Sequence, residues 1–360
     1  MYQIQVTERT LHFKQPAGTS RGIYTTRKSW FVEISDGHRV GIGECAPLPD
    51  LSCDAIPDYG QVLRTFCHEL EHQLNQGEPS PLTSHPSPLT SHLSPLQSYP
   101  SMLFGLETAL LHLQSPKPDE ALPVLFDNAF SRGERGIPIN GLVWMGSHDE
   151  MLARMEKKLE QGFRCIKIKI GAIGFDDELD LLRRLRDRFS ADEVEIRVDA
   201  NGAFTFDEAF DRLVSLSQLD LHSIEQPIRA GEWGDMAELC RNTPLPIALD
   251  EELIGVNTAE QKAQLLDIIK PQYIILKPSL HGGMHGCREW VRLARERGVK
   301  SWMTSALESN VGLNAIAQLA ADIYGEPVTM PQGLGTGQLF TDNIPMPLEV
   351  RGEQLWRKQL

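Results

Sequence analysis

From about residue 136 onward the chain repeats one pattern, a short β-rich run followed by a stretch with amphipathic helical spacing. IPINGLVW precedes a predicted helix over 148–161, CIKIKIG one over 176–189 and EIRVDANG one over 207–218. HSIEQPI, PIALDEEL and YIILKPSL continue the series, and SWMTSALES with the Gly-rich 333–337 stretch brings it to eight units. Strands that alternate with helical crossovers lie parallel. Eight such units predict an α/β fold built on a modified (β/α)8 TIM barrel, whose chemistry gathers at the C-terminal ends of the strands.

The polar residues of these runs fit that rule. In CIKIKIG, Cys165, Lys167 and Lys169 share one strand face, and Ile166, Ile168 and Ile170 the other. A solvated face or a charge-guarded edge would explain two lysines on their own. However, Asp199 ends the third run, Glu225 the fourth, Asp250 the fifth and Lys277 the sixth, at steps of 30, 26, 25 and 27 residues counted from Lys169. Each step is one β/α unit, so a closed barrel brings the five side chains to one mouth, three carboxylates flanked by lysines. Acids so placed raise one another's pKa and are costly unless a cation lies among them. Asp199, Glu225 and Asp250 offer three oxygen donors, which suits Mg2+, with Mn2+ as a substitute, better than Ca2+ or Zn2+. Lys169 can serve as a base at neutral pH only if its pKa falls from about 10.4, and Lys167 beside it, with partial desolvation, would lower it.

The remaining sequence narrows the function classes. A formal net charge of −14 argues against nucleic-acid or anionic-membrane partners. No apolar run approaches the ~18 residues of a membrane span, and MYQIQVTERT lacks a leader pattern. A cytoplasmic protein with a small-molecule carboxylate substrate is expected. Six scattered cysteines without a C-x-x-C pair fit reduced thiols. GLGTG lacks the spacing of a dinucleotide fingerprint, and His281 and His285 lack the glutamate of a zinc-protease helix.

Residues 1–125 predict an α+β capping domain, with a hairpin at Asp36-Gly37 and helices near 58–76 and 101–114. Within it, residues 80–100 are three tandem heptapeptides, SPLTSHP, SPLTSHL and SPLQSYP. Their Pro and Ser content forbids a coiled coil and predicts a solvated insertion. The barrel is expected over 126–330. Residues 331–360 should supply its last strand and a C-terminal segment returning to the capping domain.

The Lys167/Lys169 pair, the acids at successive strand ends and the sixth-run lysine resemble the enolase superfamily in its muconate-lactonizing-enzyme-like branch, over essentially the whole chain. GIGECAPLP (41–49), RVDANGAF (197–204), SALESNVGLNAIA (305–317) and GLGTGQLFTDN (333–343) are, in this order, similar to the o-succinylbenzoate synthases of menaquinone biosynthesis. The heptapeptide insertion departs from the usual capping domain.

The resemblance implies dehydration of 2-succinyl-6-hydroxy-2,4-cyclohexadiene-1-carboxylate to 2-succinylbenzoate. The substrate carboxylate would meet a Mg2+ held by Asp199, Glu225 and Asp250. Lys169 would take the proton α to that carboxylate and return it to the departing hydroxyl, while Lys277 stabilises the opposite ring face as a fixed ammonium. Arg197 matches an arginine near the substrate, or else partners the acids, and Asn201 supports the same group. Ser305, Ser309, Gly333 and Gly335 would hold the succinyl tail, and residues 15–24 correspond in position to a lid loop. Two rivals remain. One is an N-succinylamino acid racemase or dipeptide epimerase with the same lysines, although GLGTGQLF lacks the Asp-x-Asp often found in epimerases. The other is a barrel without catalysis, which predicts a damaged rim.

Overall fold

The computed structural model describes residues 1–19, 22–76, 92–115 and 124–358. Three antiparallel strands, β1 (Gln3–Thr19), β2 (Gly22–Ser35) and β3 (Val40–Cys45), form the N-terminal sheet. The turn between β2 and β3 is the expected hairpin: Asp36 Oδ1 accepts the amides of His38 and Arg39 at 2.8 Å, and Gly37 takes φ 92°. Helices α1 (Tyr59–Gln76) and α2 (Pro100–Leu113) cover one face. Trp30, Val32 and Ile34 pack there against Leu63, Leu70, Leu106 and Leu110. The backbone of α2 lies directly on β3, because a Cβ at Gly43 would stand 1.8 Å from the Gly105 carbonyl oxygen. That close approach accounts for the glycines of GIGE.

Most of the heptapeptide segment, residues 80–91, lies outside the described residues. Its third copy departs from the expected solvated insertion. Ser94–Leu96 is a 3-10 turn, Leu93 and Leu96 are buried in the N-terminal core, and Pro100 opens α2 at the first helical turn. There the missing proline N–H costs nothing. In this copy Leu96 has an apolar helix surface to cover, which overrides the polar composition.

The second layer is the barrel. β5 (Gly141–Val143), β6 (Cys165–Lys169), β7 (Glu195–Asp199), β8 (Ser223–Glu225), β9 (Ile247–Leu249), β10 (Tyr273–Leu276) and β11 (Lys300–Met303) pair in chain order as one parallel sheet. The helices between them are α3 (His148–Glu160), α4 (Phe175–Arg188), α5 (Phe206–Ser217), α6 (Trp233–Asn242), α7 (Ala259–Ile269) and α8 (Gly283–Arg295), with α9 (Asn310–Tyr324) after β11. Capping boxes set three of the helix starts, Ser147 with Glu150, Thr205 with Glu208 and Thr258 with Gln261. The outward faces of the strands, such as Ile166, Ile168, Ile196 and Val198, are sealed under Leu179, Leu182, Leu213 and other helix residues.

The eighth unit differs from the expectation. Gln332 exchanges backbone hydrogen bonds with Pro138 and Asn140, and Gly333 with Met303 and Ser305, at 2.8–3.1 Å. These two residues close the sheet between its first and last strands. Only the 3-10 turn Gly335–Gln338 follows, where a regular unit would place a helix. The chain then pairs beside β1, with Phe13 bridged to Phe340. Its last stretch, β12 (Leu348–Arg351) and β13 (Gln354–Arg357), does not return to the capping sheet. It pairs instead with β4 (Ile137–Pro138), just ahead of the first barrel strand.

Candidate active site

Parallel register decides which side chains meet. Lys169 is opposite Asp199, Asp199 opposite Glu225, and Lys167 opposite Arg197. In-register residues of a parallel sheet point to the same face, so the Lys167/Lys169 face is the barrel interior. Asp250 and Lys277 follow directly after β9 and β10. All five expected side chains, with Lys167 as a sixth, line one cavity of about 740 Å³.

Within that cavity each acid is held by an ammonium. Lys167 Nζ lies 2.9 Å from Asp199 Oδ2 and 2.5 Å from Glu225 Oε2. Lys169 Nζ lies 2.9 Å from the same Asp199 oxygen and donates to Asn201 Oδ1 at 2.6 Å, while Lys277 pairs with Asp250. Asn201, at φ 45°, passes the chain on by donating to Glu251 at 2.9 Å. Burial opposes the charged form of Asp199, yet Lys167 and Lys169 outweigh it and hold the carboxyl well below the usual range. Burial and then the Asp199 charge push Glu225 the other way, well above it. For Lys167 burial is outweighed by Asp199 and Glu225, so its pKa rises. Lys167 is therefore a cross-link between two acids as well as a neighbour of Lys169.

Among the described residues, no trio of His, Cys, Asp or Glu groups is gathered as a ready cage. The ammonium groups stand between the acids. Even so, Glu225 Oε1 and Asp250 Oδ1 are buried without a hydrogen-bond partner among the described residues. Orphaned carboxylate oxygens are expensive and rare, and hard oxygen donors of this kind fit Mg2+. Asp199, Glu225 and Asp250 therefore have the chemistry to hold such an ion.

Other sequence expectations divide. Ser305, Gly333 and Gly335 line the cavity. A Cβ at Gly333 would stand 2.1 Å from Thr304 Oγ1, so the closing residue has no room for a side chain. Ser309 is a correction: fully buried, it caps α9 by accepting from Val311 N, and its own N–H and hydroxyl donate to Glu44 at 2.9 and 2.6 Å. It does not line the cavity. Arg197 is a second correction. It shares a strand face with Asp199 but lies deeper, its guanidinium 4.3 Å from the Trp302 ring centroid and bonded to Glu195 and the Pro331 carbonyl. It braces the barrel floor, where Ala248, Ile275 and Trp302 pack together.

The N-terminal sheet supplies the other wall. Phe13, Gln15, Pro16, Ala17 and Tyr24 from the β1–β2 hairpin and Leu48 and Leu51 after β3 line the mouth. Residues 15–24, expected as a lid, thus belong to the end of a long hairpin, with positions 20 and 21 outside the described residues.

Sequence reasoning missed Glu251, Arg27 and Glu44. Glu251 directly follows Asp250, which was signal enough. Arg27 is buried, giving its guanidinium to the carbonyls of Ala46, Pro47, Ala306 and Leu307. Glu44 accepts from Ser29 and Ser309 and from Gly312 N at 2.9 Å. Both tie the sheet to the loop and helix after β11.

Comparison with known proteins agrees with this architecture. The family profile described as Enolase C-terminal domain-like matches residues 150–352. An o-succinylbenzoate synthase from Desulfotalea psychrophila is 50% identical, over 95% of this chain and 95% of its own. The crystal structure of MenC from Desulfotalea psychrophila LSv54 superposes with a TM-score of 0.84 and 43% identity, covering 99% of each chain. An N-succinylamino acid racemase from Thermus thermophilus is 34% identical, over 46% of this chain and 42% of its own.

Proposed function

The chain belongs to the o-succinylbenzoate synthase family of the enolase superfamily, and from that premise we propose that it dehydrates 2-succinyl-6-hydroxy-2,4-cyclohexadiene-1-carboxylate to 2-succinylbenzoate with Mg2+, in the cytoplasm, for menaquinone biosynthesis. The observation that carries the reading is the pairing of Lys169 and Lys277 with different acids, Asp199 and Asp250, across one cavity. A planar ring between two amines can lose a proton to one and rest its developing charge against the other.

Lys169 is the group that takes the proton α to the carboxylate and returns it to the departing hydroxyl, so that water leaves and the ring becomes aromatic. Asn201, which accepts from Lys169 and is held by Glu251, orients the amine. Lys277 keeps its proton: burial opposes the charge, but Asp250 outweighs burial and raises its pKa. It serves as a fixed cation on the other ring face. Asp199, Glu225 and Asp250 would hold the divalent ion, which supplies charge stabilisation for the carboxylate as the proton leaves.

Basic side chains support a carboxylate substrate: Lys14, Arg154, Lys157 and Lys158 line the same cavity as Lys169 and Lys277, and a divalent ion at the acids would add positive charge. The test is spectroscopic measurement of 2-succinylbenzoate formation with and without EDTA, beside racemisation of an N-succinyl amino acid. EDTA-sensitive product formation is expected. Racemisation without any 2-succinylbenzoate would replace the proposal with the racemase reading.

A further inference from the structure

Behind Lys277 lies a histidine that the reaction as described leaves without a role. His281 is fully buried and does not line the cavity. Its Nδ1 accepts the backbone N–H of Lys277 at 2.9 Å. The Lys277 carbonyl in turn accepts from Leu280 N at 2.8 Å and His281 N at 3.0 Å. Both backbone polar groups of the lysine are thus satisfied inside a five-residue turn. β10 ends at Leu276, paired with Met303, so beyond that point no neighbouring strand takes the Lys277 amide.

The tautomer follows from the geometry. A nitrogen that accepts an amide hydrogen carries no proton, which puts the ring proton on Nε2. Among the described residues Nε2 has no hydrogen-bond partner. Burying an unpaired N–H is costly, and an apolar side chain would fill the same space without that cost. The feature that distinguishes histidine here is the acceptor it turns toward Lys277.

The turn is also immobilised from outside. A Cβ at Gly286 would stand 2.5 Å from the His281 carbonyl oxygen, which presses the turn against the first turn of α8. Ser279 donates to Glu308, and Glu107 of α2 accepts from Met284 N and His285 N, clamping the helix start that follows. A backbone held this firmly can deliver a long, flexible side chain to one place.

We propose that His281 is a positioning residue: by accepting the Lys277 amide it fixes the end of β10 and thereby aims the Lys277 ammonium at Asp250 and the ring face. The inference rests on Lys277 taking part in the proposed dehydration. Without the acceptor, the amide must seek another partner and the strand end shifts, and a displacement on the order of 1 Å costs about a hundredfold in rate.

The test uses the full chain with Mg2+, comparing His281→Leu and His281→Asn with the parent in 2-succinylbenzoate formation. For His281→Leu, kcat is expected to fall roughly a hundredfold with KM changed less than about threefold. His281→Asn, whose Oδ1 can accept the same amide, should recover most of kcat. Unchanged kcat in the leucine variant, or an asparagine variant no better than leucine, overturns the proposal. If His281→Leu does not fold, the asparagine variant and the ring 15N spectrum of labelled parent protein decide. An Nε2-protonated ring supports the inference and an Nδ1-protonated ring refutes it, whether or not the dehydration is found. A parent that forms no 2-succinylbenzoate counts instead against the functional reading.

Discussion

Glu44 gives the sharpest test of how the N-terminal sheet is joined to the barrel. Its carboxylate is fully buried and receives four donors: Ser29 Oγ at 2.8 Å, Ser309 N at 2.9 Å, Ser309 Oγ at 2.6 Å and Gly312 N at 2.9 Å. Replacing it by alanine frees two hydroxyls, which can turn to other acceptors, and two backbone amides at the start of α9, which cannot. Each stranded amide costs about 1–3 kcal/mol. Against this stands a gain, because burial pushes the Glu44 pKa up and the charge was partly unwelcome. The net loss expected for Glu44→Ala is therefore about 3 kcal/mol.

For a chain of 360 residues, an unfolding entropy of about 2.1 cal/mol/K per residue turns that loss into a fall in Tm of roughly 4 °C. Calorimetry measures the shift, and urea titration followed by tryptophan fluorescence measures the free energy. A double-mutant cycle with Ser309→Ala should show a coupling of about 1 kcal/mol, since that variant removes the hydroxyl that donates to Glu44 at 2.6 Å and leaves the backbone donor in place. Stability within about 0.5 kcal/mol of the parent, or strict additivity with Ser309→Ala, would refute the view that this carboxylate joins the two layers.

Lys169→Ala should lower kcat for dehydration by at least about 10²–10⁴-fold, the range for loss of a general acid–base group, while calorimetric titration still detects Mg2+ binding; retention of most activity would contradict its assignment as the base. His112 Nδ1 accepts Ile42 N at 3.0 Å, and burial pushes its pKa down to about 4. A depressed histidine stabilises the fold fully above its unfolded pKa of about 6.5 and progressively less as pH falls toward the folded value. The stability difference between parent and His112→Asn should therefore shrink by about 2–3 kcal/mol from pH 7.5 to pH 4.5, and a constant difference across that range would rule the linkage out.

The rim was legible because parallel strands buried on both faces tolerate charge mainly at their ends. An acid or lysine closing successive apolar runs, as in RVDANG and ALDEE, therefore carries positional information. What failed to show was depth and distance. Arg197 has the parity of Asp199, but two residues along a strand are about 6.6 Å, enough to move it from the mouth to the floor beside Trp302. Ser309 follows a strand run and so looked like a substrate contact, whereas serine before a helix is as often its cap, and here the cap is shared with Glu44 from 265 residues away. No local pattern could have announced that pairing. The eighth stave was placed by its glycines alone and its missing helix did not show, since the two residues Gln332 and Gly333 are too few to carry any period.

The polar ties between sheet and barrel are unevenly distributed, and the unevenness bears on Lys277. Gln97 reaches Asn257 after β9, Glu107 clamps the start of α8, Arg27 and Glu44 hold the segment after β11, and Lys14 N donates to the Leu339 carbonyl after the eighth stave. Among the described residues these ties fall on loops following the fifth to eighth staves. Lys277 therefore stands beside the tied loops, in the cavity that it shares with Lys169 and with the β1–β2 hairpin side chains Gln15, Pro16 and Tyr24. A group that must only present a constant charge is best served by a rigid mount, because electrostatic stabilisation depends on dipoles and charges that need no rearrangement. The ties give the fixed charge proposed for Lys277 such a mount, which is why the capping sheet is as much a part of the site as the barrel it covers.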